Sequence, residues 1–465
     1  MSNRFGKTYQ VTIFGESHAE EIGAVIEGLP AGTPVDRAAL QAFLERRAPG
    51  RNDWSTARKE PDEILFTDGL DAAGCTDGGP LRAVIRNTDV RSADYDAFRS
   101  VPRPGHADYP AWVKTGCIPA GGGKWSGRLT APLCIAGGIA KQLLEARDIR
   151  IAARIHGIGG EKDTSPFLTR TEGRDYIINT NPPLTAKRFQ EKIAAAKAAG
   201  DSVGGSVECC VTGLPAGLGE HPFGGLENRI AEAVFGIPAV KGLEFGDGFA
   251  LSEKRGSEAN DAYRFENGGV ITKTNHAGGV LGGMSNGMPL IFRVAFKPTP
   301  TIGKEQESVD LATGENVIMK GKGRHDPCIV PRAVPVVEAA AACAVLDLLM
   351  SEERTKKAAG NAAFAAGSET APDGSLDALR ERIDAADRQL LDAFLKRMDA
   401  AEAIAAYKKE RGLPVLDASR EEALLDKIRS RTPEALQPYS RALYILLMQL
   451  SRRRQEELLA DPKEG

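Results

Sequence analysis

Glycine is distributed very unevenly along this chain of 465 residues, and that asymmetry constrains the fold more than any single motif. Of the 51 glycines, 46 lie within the first 350 residues and five within the last 115. All six histidines, all seven cysteines and all three tryptophans also precede position 350. Glycine permits tight turns and close backbone contacts, whereas long stretches without it favour continuous helices. The sequence therefore predicts two domains of different construction.

Composition excludes several classes of protein. The formal net charge of −3 gives no overall attraction to nucleic acid. No uninterrupted apolar run approaches roughly 18 residues, so no membrane span is expected, and the N-terminus lacks the apolar core of a secretory signal. The odd number of cysteines, without a Cys-x-x-Cys pair, indicates reduced thiols rather than disulfides or a metal site. We therefore expect a cytoplasmic protein that binds neither nucleic acid, membrane nor metal.

A change in sequence character marks the domain boundary. Residues 336–350, VVEAAAACAVLDLLM, predict a buried helix. The following stretch, 352–374, is rich in Ala, Gly, Ser, Thr and charge and has no sustained apolar period. That composition is typical of a linker, with some helix at its start. The predicted domains are therefore residues 1–351 and 375–465.

The glycine-rich domain alternates short strand-like runs with helix-like ones. Runs such as VTIF, PLRAVIRN and LIFRVAFKP carry β-branched or alternating apolar residues, whereas PVDRAALQAFLERR and TAPLCIAGGIAKQLLEA look helical. Thr33, Pro34 and Asp36 supply start signals for the first of these helices. The pattern predicts an α/β or α+β domain with many ordered loops.

The C-terminal domain begins with a stretch from Ser375 to Arg411 that neither proline nor glycine interrupts. Its apolar residues recur at helical spacing, and such a helix would be roughly 55 Å long at about 1.5 Å per residue. Gly412 and Pro414 end it, and two shorter helices are predicted at 418–430 and 434–459. So long a helix cannot bury its apolar stripe alone. We therefore expect an all-α bundle of three helices that is shared between chains.

Several short motifs in the first domain carry side chains suited to catalysis or anion binding. Ser17 and His18 follow VTIF, and His106 lies behind a Pro-Gly turn, where each could exchange a proton with a ligand. Three glycines precede Lys124 and allow backbone amides to approach an anion, although the spacing is not that of a Walker A loop. Arginine side chains can bind phosphate and carboxylate with two parallel hydrogen bonds, and the candidates are Arg128, Arg324 and Arg332. Asp326, Lys297 and Thr299 are further polar candidates in the same kind of turn-rich segment. Each motif alone is weak evidence, and a histidine in such a loop is more often structural; no GxGxxG supports a dinucleotide fold.

Together and in this order, the motifs resemble chorismate synthase over residues 4–350. The matching segments are GESHAEEIGAVIEGLP, RPGHADYP, GGGKWSGRLTAP, VKGLEFGDGF, NHAGGVLGG, KPTPT and GRHDPCIVPRAVP. Three departures stand out. Ala19 replaces a usual glycine, Ala48 interrupts an arginine-rich segment, and Asp53 lies near a position where many members carry arginine. The resemblance implies a β-α-β sandwich.

The resemblance also implies a reaction and a set of site residues. The reaction is the 1,4-elimination of phosphate from 5-enolpyruvylshikimate 3-phosphate to give chorismate, and the family requires reduced FMN although no net redox change occurs. The implied catalytic residues are His18 and His106 as proton donors, and Asp326 as a base with Ser17 as a relay. The implied substrate-binding residues of this domain are Arg46, Arg128 and Arg332. The implied flavin contacts are Lys124, Trp125, Ser126, Ala239, Gly282, Lys297, Pro298, Thr299, Pro300, Thr301, Arg324 and Arg47.

Polar side chains in the C-terminal helices share faces. Arg397 and Lys408 are 11 residues apart, so their directions differ by only about 20° after three turns. Ser451 and Gln455 are i,i+4 neighbours.

The C-terminal domain resembles the all-helical class of chorismate mutase over residues 375–458, in the segments LRERID, LKRM, AYKKERGLPVLDASRE and SRRRQ. This implies a cofactor-free rearrangement of chorismate to prephenate in a site formed by Arg380, Arg397, Lys408, Asp417, Arg420, Glu421, Ser451 and Gln455.

The sequence favours a bifunctional enzyme of aromatic amino-acid biosynthesis through the shikimate pathway, because the first product is the second substrate. One alternative is a synthase whose C-terminal helices serve only oligomerisation, and another is a different flavoprotein that binds anions. Dimerisation alone would need only the apolar stripe and not the eight polar residues.

Two further expectations concern reductant and assembly. The long insertions of self-reducing fungal members are absent, so NADPH is expected to act only indirectly, through a separate flavin reductase. We expect a homotetramer through the first domain and an intertwined dimer through the second. In that dimer Arg380 serves the partner's site, because it lies too far along the helix from Arg397.

Overall fold

The computed structural model describes residues 3–50, 61–88, 99–171, 174–177, 180–266, 268–321, 326–365 and 376–460. Contacts divide the chain into two compact units, residues 1–360 and residues 361–465. The division falls after the glycine-rich part of the chain.

Two five-stranded antiparallel sheets form the walls of the first unit. The strands of the first sheet are β1 (Arg4–Phe5), β2 (Gln10–Gly15), β3 (Glu21–Glu27), β4 (Leu65–Asp68) and β5 (Leu81–Arg86). Those of the second sheet are β6 (Arg150–Ile158), β7 (Glu161–Lys162), β10 (Gly205–Thr212), β11 (Val240–Phe245) and β16 (Leu290–Phe296). Their orders are β1-β2-β3-β5-β4 and β11-β16-β10-β6-β7.

Four further pairs of short strands extend from the sheets as hairpins. These are β8 (Leu168–Thr171) with β9 (Arg174–Ile177), β12 (Tyr263–Glu266) with β13 (Gly269–Thr272), β14 (Val280–Leu281) with β15 (Met284–Ser285), and β17 (Glu305–Asp310) with β18 (Glu315–Lys320). The helices of this unit are α1 (Arg37–Glu45), α2 (Asp108–Thr115), α3 (Thr130–Glu145), α4 (Pro183–Ala198), α5 (Leu226–Phe235), α6 (Gly256–Ala259) and α7 (Val330–Ala365). The start predicted for α1 is confirmed, because the carboxylate of Asp36 accepts the backbone N–H of Ala39 at 2.9 Å.

The core of the first unit lies between the two sheets and is filled by α3 and α7. Helix α3 contacts β2, β3 and β5 of the first sheet and β6 of the second. Gly137 of α3 allows a close crossing with α7, because an ideal Cβ there would lie 2.2 Å from Cα of Ala339. The apolar run at 336–350 is almost entirely buried, as its composition predicts. The predicted β-α-β sandwich is confirmed.

Helix α7 is longer than the apolar run that predicts it. It continues through Ala365 and so covers the first fourteen residues of the predicted linker at 352–374. Ala, Glu, Lys and Arg dominate this part, and these residues favour helix even without an apolar stripe. The first part of the helix, Val330–Thr355, is long and apolar enough to cross a membrane. An apolar window of 18 residues within it is completely buried, which is the behaviour of a core helix, whereas Glu353, Arg354 and Thr355 at its end are exposed.

The second unit contains three long helices in the part that the structure describes. They are α8 (Leu376–Arg411), α9 (Ala418–Arg431) and α10 (Gln437–Ala460). Helix α10 packs against both α8 and α9, and it buries Ala401 and Ala405 of α8. The first half of α8 carries exposed Ile383, Leu390 and Leu391. A single chain therefore leaves much of the apolar stripe of α8 uncovered.

Candidate active sites

A turn of three glycines lies between the two predicted catalytic histidines. Gly121 and Gly122 both have positive φ, and the turn has no room for side chains. An ideal Cβ on Gly121 would lie 2.5 Å from Nε2 of His18, and one on Gly122 would lie 3.2 Å from Nε2 of His106. Ser17 donates its backbone N–H to the carbonyl of the third glycine at 3.1 Å. Both histidines and Ser17 therefore adjoin one short stretch of backbone.

His106 is held by a buried ion pair on its other side. Its Nδ1 lies 2.6 Å from Oδ1 of Asp108. Arg103 donates two side-chain hydrogen bonds to the same carboxylate, from Nε at 2.7 Å and from Nη2 at 2.9 Å. Burial by itself would raise the pKa of Asp108, but the hydrogen bonds from His106 and Arg103 outweigh it and hold that pKa well below its usual range. Asp108 therefore remains a carboxylate at neutral pH.

The segment KPTPT, residues 297–301, packs directly against the loop that carries His106. The ammonium of Lys297 donates to the carbonyl of Gly105, and Arg103 donates to the hydroxyl of Thr301 at 3.3 Å. Ala239 accepts the backbone N–H of Lys297 at 3.0 Å and has a φ of 72°, which is unusual for a residue with a side chain. Four of the motifs found in the sequence thus meet in space.

A cavity of about 370 Å³ opens beside this segment, a size in the range of small-molecule sites. The hydroxyl of Thr299 is buried and has no hydrogen-bond partner among the described residues. An unpaired buried hydroxyl and a nearby ammonium suit a polar, anionic ligand such as a flavin nucleotide. The lining residues include Gly105, Ser202, Lys297, Pro298, Thr299 and Pro300.

The other predicted flavin contacts do not all lie beside this cavity. Lys124 is exposed, and its ammonium lies 5.1 Å from the ring centre of half-buried Trp125. The hydroxyl of Ser126 accepts the backbone N–H of the second residue after it at 3.3 Å. Gly282 lies in the tight turn between β14 and β15, and the described contacts do not join it to the three-glycine turn. Arg324 lies outside the described residues.

Three arginines converge on two carboxylates and form what we call the arginine cluster: Arg47, Arg128 and Arg332 with Asp62 and Asp326. Asp62 accepts from Arg47 at 2.9 Å and from Arg128 on its other oxygen. Arg332 donates to Asp326 and, at 2.9 Å, to the backbone carbonyl of Arg47. Within the described part of the chain, three guanidinium groups thus converge on one small region. Guanidinium groups gathered in this way suit the binding of phosphate and carboxylate groups.

The ionisation of the arginine cluster follows from its burial. Burial and the neighbouring positive charge of Arg332 lower the pKa of Arg47 to about 10, so it stays charged at neutral pH. Burial would raise the pKa of Asp62, but Arg47 and Arg128 outweigh it and lower that pKa below its usual value. Arg47 donates also to Thr130, so its guanidinium is engaged within the protein.

Arg46, expected to bind substrate, is not brought into the arginine cluster. Its two terminal nitrogens donate to both carboxylate oxygens of Glu338, at 2.9 and 2.7 Å. Glu338 is completely buried and also binds Lys141 at 2.7 Å. The reason is electrostatic, because a buried carboxylate in the central helix needs paired cations.

In the second unit, three of the predicted mutase residues lie together between α8 and α10. Arg397 donates to the hydroxyl of Ser451, which is nearly buried. Gln455 is 7% exposed, and its Oε1 has no hydrogen-bond partner among the described residues. Lys408, further along α8, donates to the carbonyl of Val415 at 2.5 Å. A buried unpaired amide beside an arginine is typical of a polar binding site.

The remaining mutase residues lie at the start of α9 and at the start of α8. Asp417 caps α9 by accepting the backbone N–H of Arg420 at 3.1 Å, and this bond lowers its pKa. Glu421 accepts from Arg452 of α10 at 3.3 Å. Arg380 is exposed, 17 positions before Arg397 on the same helix, so the two are roughly 25 Å apart along the axis. One chain does not bring Arg380 to the others.

Three residues near the first site carry no local signal in the sequence. Asp62, Asp108 and Arg103 are buried ions whose partners lie as far away as Arg128, 66 positions from Asp62. The only hint is the i,i+2 spacing of His106 and Asp108 in RPGHADYP.

Comparison with known proteins identifies a family for each of two parts of the chain. The family model described as Chorismate synthase matches residues 9–350, and that described as Chorismate mutase type II matches residues 379–456. A chorismate synthase of Lancefieldella parvula is 48% identical over 370 residues, which cover 76% of this chain and 97% of that protein. A chorismate synthase of Parabacteroides distasonis is 44% identical, with coverage of 76% and 98%. A crystal structure of chorismate synthase matches with a TM-score of 0.57 and 26% identity, over 75% of this chain and 93% of that one.

The two-sheet fold, the arginine cluster and these matches define the class: the chain belongs to the chorismate synthase family. The second match adds an all-helical chorismate mutase domain after it. The protein is therefore a bifunctional enzyme with lyase and isomerase activities in aromatic biosynthesis, and its C-terminal helices are not merely an oligomerisation module. The prediction of two linked activities is confirmed.

Proposed function

We propose that the three-glycine turn and the arginine cluster together hold 5-enolpyruvylshikimate 3-phosphate. The substrate carries a phosphate and a carboxylate, and the convergence of three guanidinium groups in the cluster is the observation that supports its binding there. Arg128 and Arg332 are the guanidinium groups assigned to the two anions. Arg47 is assigned no direct contact with the substrate, because its nitrogens already donate to Asp62 and Thr130, and it holds Asp62 in place beside Arg128. Arg46 is paired with Glu338 and is left out of this assignment.

The two histidines and Asp326 are assigned the proton steps. The reaction removes a hydrogen from C6 and expels phosphate, so it needs a base and a proton donor. His18 and His106 adjoin the same turn and can each donate a proton, one to the departing phosphate and one to the cofactor. Asp326 is fixed by Arg332 and is the candidate base, with the hydroxyl of Ser17 as a relay.

Reduced FMN is the proposed cofactor, and it supplies electron density as the phosphate leaves. Lys297 to Thr301, Ala239 and the neighbourhood of Trp125 would hold it. The unpaired hydroxyl of Thr299 and the cavity of about 370 Å³ support this fit. Gly282 and Arg324 remain flavin contacts by resemblance alone.

For the mutase reaction, we propose that arginines select the compact conformer of chorismate. Arg397 binds one carboxylate, and the Lys408 ammonium and Gln455 amide stabilise negative charge on the ether oxygen as its bond breaks. The unpaired amide of Gln455 supports this role. Asp417, Arg420, Glu421 and Ser451 line the same site, and no cofactor is needed.

The reductant distinguishes this proposal from that of a self-reducing enzyme. Oxidised FMN with NADPH should give no chorismate until a separate flavin reductase or dithionite is added. The test is an anaerobic assay with purified protein in the dark, and dithionite-reduced FMN is its positive control. Steady chorismate formation from NADPH and FMN alone would contradict the proposed reliance on a separate reductase.

Assembly and location complete the proposal. The exposed apolar stripe on the first half of α8 supports an intertwined dimer of the second domain, in which a partner chain covers Ile383, Leu390 and Leu391. We assign Arg380 to the partner's site, a homotetramer to the first domain, and the cytoplasm as the compartment. NADPH then acts only through the reductase.

A further inference from the structure

His106 lies between a carboxylate and the three-glycine turn, with a different nitrogen facing each. Its Nδ1 is 2.6 Å from Oδ1 of Asp108, and its Nε2 faces Gly122, whose ideal Cβ would be 3.2 Å away. The side chain is 17% exposed, whereas that of Asp108 is 1% exposed. One nitrogen is therefore committed to the protein, and the other faces the site.

Arg103 fixes Asp108 through three donors. Its backbone N–H and Nε bind Oδ2, at 3.0 and 2.7 Å, and Nη2 binds Oδ1 at 2.9 Å. The positive charge of Arg103 balances the negative charge of Asp108. His106 can therefore stay hydrogen-bonded to Asp108 without carrying a positive charge itself. In the part of the chain that the structure describes, Lys297 is a second cation near this loop and donates to the carbonyl of Gly105, and burial and Lys241 lower its pKa.

Nη2 of Arg103 also lies 3.1 Å from Nδ1 of His106, but it donates to Oδ1 of Asp108 at the shorter distance of 2.9 Å. The carboxylate oxygen at 2.6 Å can only accept a hydrogen bond, so Nδ1 carries the proton. When the imidazolium of His106 donates its proton from Nε2, the ring is left neutral, with the remaining proton on Nδ1 and the free lone pair on Nε2. This arrangement determines which nitrogen of His106 can exchange protons with a ligand.

We propose that Asp108 is a positioning residue that keeps the proton of neutral His106 on Nδ1 and presents Nε2 to the ligand at the three-glycine turn. The assignment rests on the proposed role of His106 in the synthase reaction. Asp108 touches neither substrate nor cofactor, and it acts through the histidine.

The test is nitrogen NMR of the full chain labelled with ¹⁵N-histidine, at a pH where His106 is neutral. A His106→Gln variant assigns the signals among the six histidines. The proton is expected on Nδ1 in the unmodified protein. A proton on Nε2 would overturn the inference while leaving chorismate formation, and thus the proposed function, intact.

Asp108→Asn supplies the second measurement. Two donors of Arg103 hold the amide oxygen at the position of Oδ2, so the NH₂ group takes the place of Oδ1 and donates to His106. The proton should therefore move to Nε2, and kcat of the synthase should fall by about 10²-fold with KM changed by only a few-fold. An unchanged tautomer, or unchanged turnover in a variant whose tautomer has inverted, would contradict the positioning role.

A matched control exists elsewhere in the same unit. His276 also places Nδ1 against a carboxylate, 2.7 Å from Asp247. Asp247→Asn should shift the signals of His276 and leave those of His106 unchanged. If both Asp→Asn variants moved the signals of His106, a general structural disturbance would explain the effect and the inference would fail.

Discussion

At the scale of single residues, Asp62 determines the charge of the arginine cluster. It is 1% exposed and divides its two oxygens between Arg47 and Arg128. It also adopts a φ of 49°, a left-handed conformation that costs a residue with a side chain about 1 kcal/mol. The surrounding contacts therefore hold Asp62 in place against its local preference.

Asp62→Asn should destabilise the first unit by about 3 kcal/mol at neutral pH, because two buried arginines lose their counter-charge. The folded pKa of Asp62 is depressed, so its contribution is present above the unfolded value near 4 and is lost as pH falls below it. The difference between the two proteins should therefore shrink in acid. Urea unfolding followed by tryptophan fluorescence measures it, since all three tryptophans lie in the first unit.

Asp68→Asn is the control for that experiment, because Asp68 is exposed on β4. It should change the free energy of unfolding by no more than about 0.5 kcal/mol. An Asp62→Asn protein as stable as this control at pH 7 would show that the ion pairs contribute nothing net.

The residues that match motifs could be predicted from the sequence, whereas their buried partners could not. Ser17, His18 and His106 were expected near one another, and they adjoin one turn. Asp62 and Asp108 act through long-range or side-chain contacts that leave no periodic pattern. The partner of Arg46 could not be predicted either, because nothing local reveals that Glu338, 292 positions away, accepts its hydrogen bonds.

At the scale of elements, the crossing of α3 and α7 determines how closely the two sheets can pack. Gly137→Ala should destabilise the first unit by about 1–3 kcal/mol, because its Cβ would meet the backbone of Ala339. Gly256→Ala in α6 is the control, since its Cβ would have no neighbour within 4 Å. Urea midpoints from tryptophan fluorescence compare the two. Equal urea midpoints for the Gly137→Ala and Gly256→Ala proteins would contradict this prediction, because they would mean that α7 moves aside without loss of stability.

Helix ends could be predicted where a capping side chain begins the helix or a glycine ends it. Asp36 caps α1, and Gly412, with a φ of 62°, follows the last residue of α8. The end of α7 could not be predicted in this way, because residues 352–365 are good helix formers without an apolar period. Composition alone does not distinguish such a helix from a linker.

At the scale of the whole molecule, the two activities are consecutive, and we propose that the second depends on a site shared between two chains. Arg380→Ala and Arg397→Ala proteins should each be nearly inactive as mutases. When the two are unfolded and refolded together, about half of the dimers are mixed, and each mixed dimer has one intact site. Prephenate formation should then approach about a quarter of the unmodified rate. Mixed dimers that form but remain inactive would exclude the shared site.

The most direct test of the account is to follow both reactions in one chain. Anaerobic incubation with 5-enolpyruvylshikimate 3-phosphate and photoreduced FMN should accumulate prephenate. His106→Ala should lower chorismate formation by about 10²–10⁴-fold while added chorismate is still converted. Arg397→Ala should instead accumulate chorismate. If the unmodified chain releases phosphate but forms no prephenate, or if His106→Ala retains nearly full synthase turnover, the account of two linked sites is contradicted.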